Sequence, residues 1–151
     1  MVNEIERKFF IQAIPDLSGI AVLHSERFFL KTENGFEERI SKIDGKFYYD
    51  KKIIISPVER EREKKIITEE EFNELKIRAY GSTIRDTYLL SKKPKITLQI
   101  YHGQFEGLIR AEVEFDSLQE ANDFVPVYWM GKEITGLDIA RDSTNLKNTQ
   151  Q

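Results

Sequence analysis

No cysteine occurs in the chain. Its absence excludes disulfides, thiolate metal sites and cysteine nucleophiles, and it fits a reducing compartment. Histidine is scarce: His24 and His102 stand far apart, with no other histidine or cysteine at ligand spacing. Zinc catalysis and a Ser-His-Asp arrangement therefore lack their residues. No G-x-x-x-x-G-K-[ST] loop is present, so any phosphate binding does not use a P-loop. No apolar run approaches the roughly 18 residues of a membrane span. Charge begins at Glu4, close behind Met1, which gives no sign of a signal peptide. A cytoplasmic protein without a membrane partner is expected. The net charge of −3 speaks against a nucleic-acid partner. Monomer and homodimer both stay open.

What is present is charge in alternation with apolar residues. Charged residues are 32% and hydrophobic residues 40% of 151, enough for one domain with a core. We expect a single domain over 1–147 and a polar tail over 148–151. Strands are expected near 2–12, 21–32, 36–43 and 46–55, in the charged segment VEREREKKI, and near 83–91, 95–102 and 108–115. Asn34-Gly35 and Asp44-Gly45 are hairpin turns, because both residue types tolerate positive φ. Thr68 with Glu71 and Ser117 with Glu120 form capping boxes, opening helices over 69–79 and before Pro126. A last helical stretch starts near Asp138. So many antiparallel strands are best served by a closed barrel, which removes exposed edges. The fold class expected is mainly β within α+β, an eight-stranded antiparallel barrel with a few peripheral helices.

Side chains two apart in a strand share a face. Glu4, Glu6 and Lys8 therefore lie together, as do Glu59, Glu61 and Glu63, and Arg110, Glu112 and Glu114. A half-buried sheet with its polar face in water would explain any one of these triplets. Gathered carboxylates repel unless a cation joins them, and hard ions such as Mg²⁺ or Mn²⁺ prefer carboxylate oxygens.

The E-x-E-x-K of residues 4–8 resembles the signature of the CYTH family, or triphosphate tunnel metalloenzymes. FVPVYWMGKEIT (124–135) resembles that family's F-x-P-x-x-W-x-G-x-E-V-T stretch, and LIRAEVEF (108–115) its late acidic strand. Glu61-x-Glu63 before Ile66 resembles its middle acidic pair. The order of these motifs agrees from Glu4 to about Leu146. The resemblance implies a barrel forming a tunnel, with a divalent-metal-dependent triphosphatase inside it. A metal-activated water would attack the terminal phosphate of inorganic triphosphate, a nucleoside triphosphate or thiamine triphosphate. It implies Glu4, Glu6, Glu61, Glu63, Glu112 and Glu114 as ligands of Mg²⁺ or Mn²⁺. Lys8, Glu4 and Glu6 would be catalytic, and Lys8, Arg39, Lys52, Arg110 and Lys95 would contact phosphate.

Several family positions differ. Ser41 stands at the second arginine of an R-x-R, Glu59 where an arginine is usual, and Asp86 and Tyr88 in place of K-x-R. Gln99 and Tyr101 replace D-x-F, Phe28 or Phe29 replaces a tyrosine, and Arg141 and Ser143 stand in the closing segment. Parity then predicts inward acids at Glu4, Glu6, Asp50, Glu59, Glu61, Glu63, Asp86, Glu112 and Glu114. Inward bases are expected at Lys8, Arg39, Lys52, Lys95 and Arg110, with Arg60, Arg62, Lys64 and Lys65 outside. The tunnel would be net negative, with all three E-x-E pairs converging in one cavity. Three outcomes fit such a tunnel: a triphosphatase with a weaker grip, an enzyme for a cation-bearing polyphosphate partnered by Glu59 and Asp86, or a non-catalytic binding module.

Overall fold

The computed structural model describes residues 2–149; the end of the expected tail, 150 and 151, lies outside them. Nine strands form one antiparallel sheet: β1 (Val2–Ile11), β2 (Val22–Glu33), β3 (Phe36–Ile43), β4 (Lys46–Ile54), β5 (Glu59–Ile67), β6 (Gly81–Lys92), β7 (Lys95–His102), β8 (Ile109–Phe115) and β9 (Met130–Glu133). The order runs β5-β4-β3-β2-β6-β7-β8-β1-β9, and β5 also pairs with β1, which closes eight strands into a barrel. The first half of β1 meets β5 through Val2–Ile5. Its second half meets β9 through Phe9 and Ile11, so one strand both seals the barrel and carries the extra strand.

The turn chemistry is as expected. Asn34 and Asp44 have φ of 46° and 48°, and the glycines after them 79° and 78°, giving tight two-residue hairpins. Helix α1 (Glu69–Lys76) carries the full Thr68–Glu71 capping box. It ends three residues earlier than the periodicity predicts, because Arg78 N–H and Ala79 N–H bond three residues back and tighten the last turn. Helix α2 (Leu118–Asp123) is capped by Ser117, but the Glu120 side chain accepts from the N–H of Asp116 rather than closing the box on Ser117. A short 3-10 turn (Asp138–Ala140) and helix α3 (Asp142–Thr149) end the described chain. Strand β9 was not anticipated. It is short, and the close approach at Gly131, where an added Cβ would sit 3.3 Å from Phe10 O and Gln12 N, lets it lie against β1.

The apolar cores lie outside the barrel wall, not within it. Phe9, Leu98, Ala111, Val113 and Phe115 turn outward from β1, β7 and β8 and pack under α2 with Ala121, Trp129 and Met130. Ile40 and Ile67 turn outward on the far side and pack under α1 through Phe72, with Phe28 and Phe47 beside them. Each helix therefore covers one outer patch of the sheet and leaves the inner face to polar side chains. No helix among the described residues is long and apolar enough to cross a membrane.

The W-G-E-I-T stretch serves this scaffold. Glu133 grips Arg7 through two bonds of 2.7 and 2.9 Å, and Arg7 also donates to Ala121 O and Phe124 O at the end of α2. Thr135 Oγ1 accepts from the backbone N–H of Lys8 at 2.9 Å, and Ile134 is fully buried. Arg7, the outward residue between Glu6 and Lys8, thus anchors the strand whose inward residues face the tunnel.

Candidate active site: a charged tunnel

The barrel encloses a cavity of about 240 Å³. Strand β1 turns Glu4, Glu6 and Lys8 into it, and β8 turns Arg110, Glu112 and Glu114 into it from the adjacent strand. Glu6, Glu112 and Glu114 place carboxylate oxygens within 4.8 Å of one another. Lys8 Nζ lies 3.4 Å from Glu112 and 3.8 Å from Glu6, and donates to Ala140 O at 3.1 Å. Arg39, Lys52 and Lys95 also face the cavity, Lys95 at an exposed rim 3.8 Å from Glu114.

The carboxylates differ in how they are held. Burial opposes the charge on Glu112, yet Lys8, Arg85 and Arg110 hold it well below the usual carboxylate range. Glu114 moves the other way. Burial raises its pKa, and Glu112, Glu6 and Glu4 add repulsion against the pull of Lys95. Glu4 is held ionised against burial by Lys52 and Arg62, at 3.2 and 2.8 Å.

The middle acidic pair is not in this site. Strand β5 presents Arg60, Arg62 and Lys64 to the cavity and turns Glu59, Glu61 and Glu63 to the outer face, the reverse of the predicted parity. The neighbouring strands set this phase: Glu4 stands across from Arg60 on β1, and Lys52 and Asp50 across from Arg62 and Lys64 on β4. Only Lys65 keeps its expected outward place, over the ring of Tyr49. Strand β6 is reversed as well. Arg85 and Thr87 face the cavity, whereas Asp86 lies outside between His24 and His102, at 2.5 and 2.9 Å. The two histidines, isolated in sequence, share one carboxylate on the outer wall.

These reversals change the sign of the tunnel. Inward acids are Glu4, Glu6, Glu37, Asp50, Glu112, Glu114 and Asp142. Strands β1 to β4 supply Lys8, Arg27, Arg39 and Lys52, β5 supplies Arg60, Arg62 and Lys64, and Arg85, Lys95, Arg110 and Arg141 complete the bases. Among the described residues, eleven bases against seven acids leave a surplus of four positive charges where a net-negative lining was expected. A cation-bearing substrate paired with Glu59 and Asp86 loses its basis, since neither residue reaches the cavity.

One mouth is covered by the C-terminal segment. Asp142, at the start of α3, enters a nest of buried cations: Arg27 at 2.5 Å, Arg110 at 2.6 Å and Arg85 at 3.9 Å. The Tyr101 hydroxyl donates to the same carboxylate at 2.7 Å and accepts from Arg110 and Arg85. Burial lowers Arg27 to about 10, and repulsion from Arg39 and Arg85 adds to this. Arg110, expected to contact phosphate, is thus engaged by an internal carboxylate and by Ala140 O. Arg27, Arg85 and Asp142 were missed. Arg27 faces the cavity with Ser25, two residues away, but neither belongs to a charged triplet, and Asp142 carries no sequence signal of its partners.

No family model matches the chain. In sequence it is similar to an inorganic triphosphatase of Nitrosomonas europaea, 27% identical over 137 residues that span 89% of this chain and 90% of that protein. In structure it is similar to a crystal structure of the inorganic triphosphatase NE1496, with a TM-score of 0.69, 23% identity and 97% and 95% of the two chains covered. A putative adenylyl cyclase from Hippeastrum, described as having a dominant triphosphatase activity, shares the fold at a TM-score of 0.54 and 14% identity, over 81% and 83%. The protein PH1012 of Pyrococcus horikoshii does so at 0.62 and 15%, over 79% and 83%. Relatedness to a triphosphatase and the common barrel together support a CYTH-like chain.

Proposed function

We propose that the protein is a divalent-metal-dependent hydrolase of a triphosphate-containing small molecule. The observation that carries this is the convergence of Glu6, Glu112 and Glu114 inside a tunnel whose lining holds more lysine and arginine than acid. An all-carboxylate donor set suits Mg²⁺ or Mn²⁺, and the buried Glu6 Oε1, although 3.0 Å from Arg60, accepts no aligned hydrogen bond. The residues present therefore fit one such ion, with Glu6, Glu112 and Glu114 as its ligands. When bound, it supplies Lewis-acid polarisation of a phosphoryl oxygen toward attack by water. Glu4 faces the same cavity but outside this group, held by Arg62 and Lys52. Glu61 and Glu63 are left without a role at the site.

The chain's own residues do the positioning. Arg39, Lys52 and Lys8 line the cavity around the carboxylates and would spread their charge over the phosphate oxygens, which is most of what phosphoryl transfer asks of a protein. Lys8, between Glu6 and Glu112, places an ammonium where negative charge develops. Likeness to a triphosphatase over nearly the whole chain supports the same reading.

The test is release of orthophosphate from inorganic triphosphate, ATP and thiamine triphosphate with Mg²⁺ or Mn²⁺. Glu112→Gln should lower release by roughly 100-fold or more, the scale of a lost charge-stabilising group. Undiminished release in that variant would put the activity outside the tunnel. Binding of all three without release would favour a non-catalytic binder.

A further inference from the structure

The positions on β5 that face the tunnel hold cations, and those cations already lie against the carboxylates of β1, so an ion held by Glu6, Glu112 and Glu114 would share Glu6 with Arg60. Arg62 lies 2.8 Å from Glu4 and 2.8 Å from Asp50, and Arg60 lies 3.0 Å from Glu6. Lys52 adds a second cation to Glu4 at 3.2 Å. Any divalent ion arriving at Glu4 would meet a guanidinium and an ammonium at contact distance, and like charges so placed repel strongly in a buried setting. The carboxylates away from β5 are Glu112 and Glu114, which Arg60 and Arg62 do not pair with; Lys8 lies 3.4 Å from Glu112 and Lys95 3.8 Å from Glu114.

We propose that Arg60 and Arg62 act as built-in cations of the substrate site, replacing a second metal ion, so that the tunnel takes tripolyphosphate with a single divalent ion and retains affinity for it with none. This rests on the triphosphate reading above and specifies how that site achieves its charge. Two independent observations carry it. The tunnel lining has a surplus of four positive charges before any ion is added, close to the roughly tetra- to penta-anionic charge of tripolyphosphate. In addition, the Nε–H groups of Arg39, Arg60 and Arg110 are buried and have no hydrogen-bond acceptor in the protein. Arg110 is 1% exposed and Arg39 9% exposed at the side chain, so water does not readily satisfy them. Buried donors without acceptors are costly unless a ligand supplies oxygen atoms. The Arg62 guanidinium is fixed in place. Burial opposes its charge, but Asp50 and Glu4 keep it protonated and hold its plane.

The experiment is titration calorimetry of the full chain with sodium tripolyphosphate, in EDTA and in Mg²⁺, with Mn²⁺ counted per chain by electron paramagnetic resonance. The wild type should bind tripolyphosphate in EDTA and take one Mn²⁺ in its presence. Arg60→Gln and Arg62→Gln should weaken binding in EDTA by about tenfold or more, whereas Arg60→Lys and Arg62→Lys, which keep the charge, should lose less. Circular dichroism of each variant reports the fold. Binding in Mg²⁺ but none in EDTA, two Mn²⁺ per chain, or Gln variants equal to wild type in EDTA would each overturn the proposal while leaving the triphosphate reading intact. No binding in either condition would overturn both. Binding in EDTA without phosphate release under any metal would support the built-in cations and remove the hydrolase reading alone.

Discussion

The tunnel holds two carboxylate centres of opposite character. At the closed mouth one carboxylate, Asp142, sits among Arg27, Arg85, Arg110 and the Tyr101 hydroxyl. In the body of the tunnel three carboxylates, Glu6, Glu112 and Glu114, crowd together, with Arg60 beside Glu6 and Lys8 between Glu6 and Glu112. Burial penalises charge at both. At Asp142 the three arginines overcome it and hold the acid well below its ordinary range, while at Glu114 burial prevails and acidic neighbours add to it, pushing the acid up. At the first centre the carboxylate is fully paired within the protein and acts as structure. The second is incomplete, and an incomplete buried charge cluster is what an ion or substrate can finish.

The largest effect expected from breaking this contrast is at Asp142. Asp142→Ala leaves Arg27 and Arg110 buried without their shared anion and should cost about 3–5 kcal/mol of stability, measured by urea unfolding at neutral pH. The sign with pH follows from its depressed pKa. The contribution is present above the ordinary aspartate value of 3.8 and is lost as pH falls below it through the depressed folded value. The gap between wild type and Asp142→Asn should therefore narrow on acidification; a gap constant with pH would mean that packing, not charge, seats α3.

A smaller effect is expected at Lys52. Burial and repulsion from Arg39 lower it to about 8. The protonated amine attracts phosphate, so tripolyphosphate affinity should fall by about tenfold as pH rises through 8. Lys52→Arg, whose charge does not titrate in this range, should flatten that profile.

The smallest effect has the opposite sign from the first. Glu114→Gln removes one of three crowded carboxylates and should stabilise the metal-free protein. The gain should stay below about 1 kcal/mol, because the side chain is 36% exposed and water screens it. A destabilised metal-free Glu114→Gln protein would show that the acidic group is satisfied internally, and the contrast between the two centres would fail.

Turn residues and apolar alternation dictate the elements and much of the barrel. Asn34-Gly35 and Asp44-Gly45 dictate hairpins because few other residues accept positive φ in succession. On β1 and β8 the outward sets, Ile5, Phe9 and Val113 among them, are apolar except for Arg7, so only one phase buries them under α2. The inward direction of Glu4, Glu6, Glu112 and Glu114 was legible for that reason. Strand β5 offers no such guide. In EREREK both faces are charged, so neither phase buries more apolar area, and the choice passes to the neighbours. Glu4, Glu6 and Asp50 draw Arg60 and Arg62 inward through ion pairs, and Lys64 follows on the same face. On β6 the same ambiguity is decided by His24 and His102, which receive Asp86 on the outer wall. Only the tertiary structure could decide the sign of the tunnel, because hydrophobic pattern orients a strand whose faces differ in polarity, while a strand charged on both faces is oriented by the charges across from it.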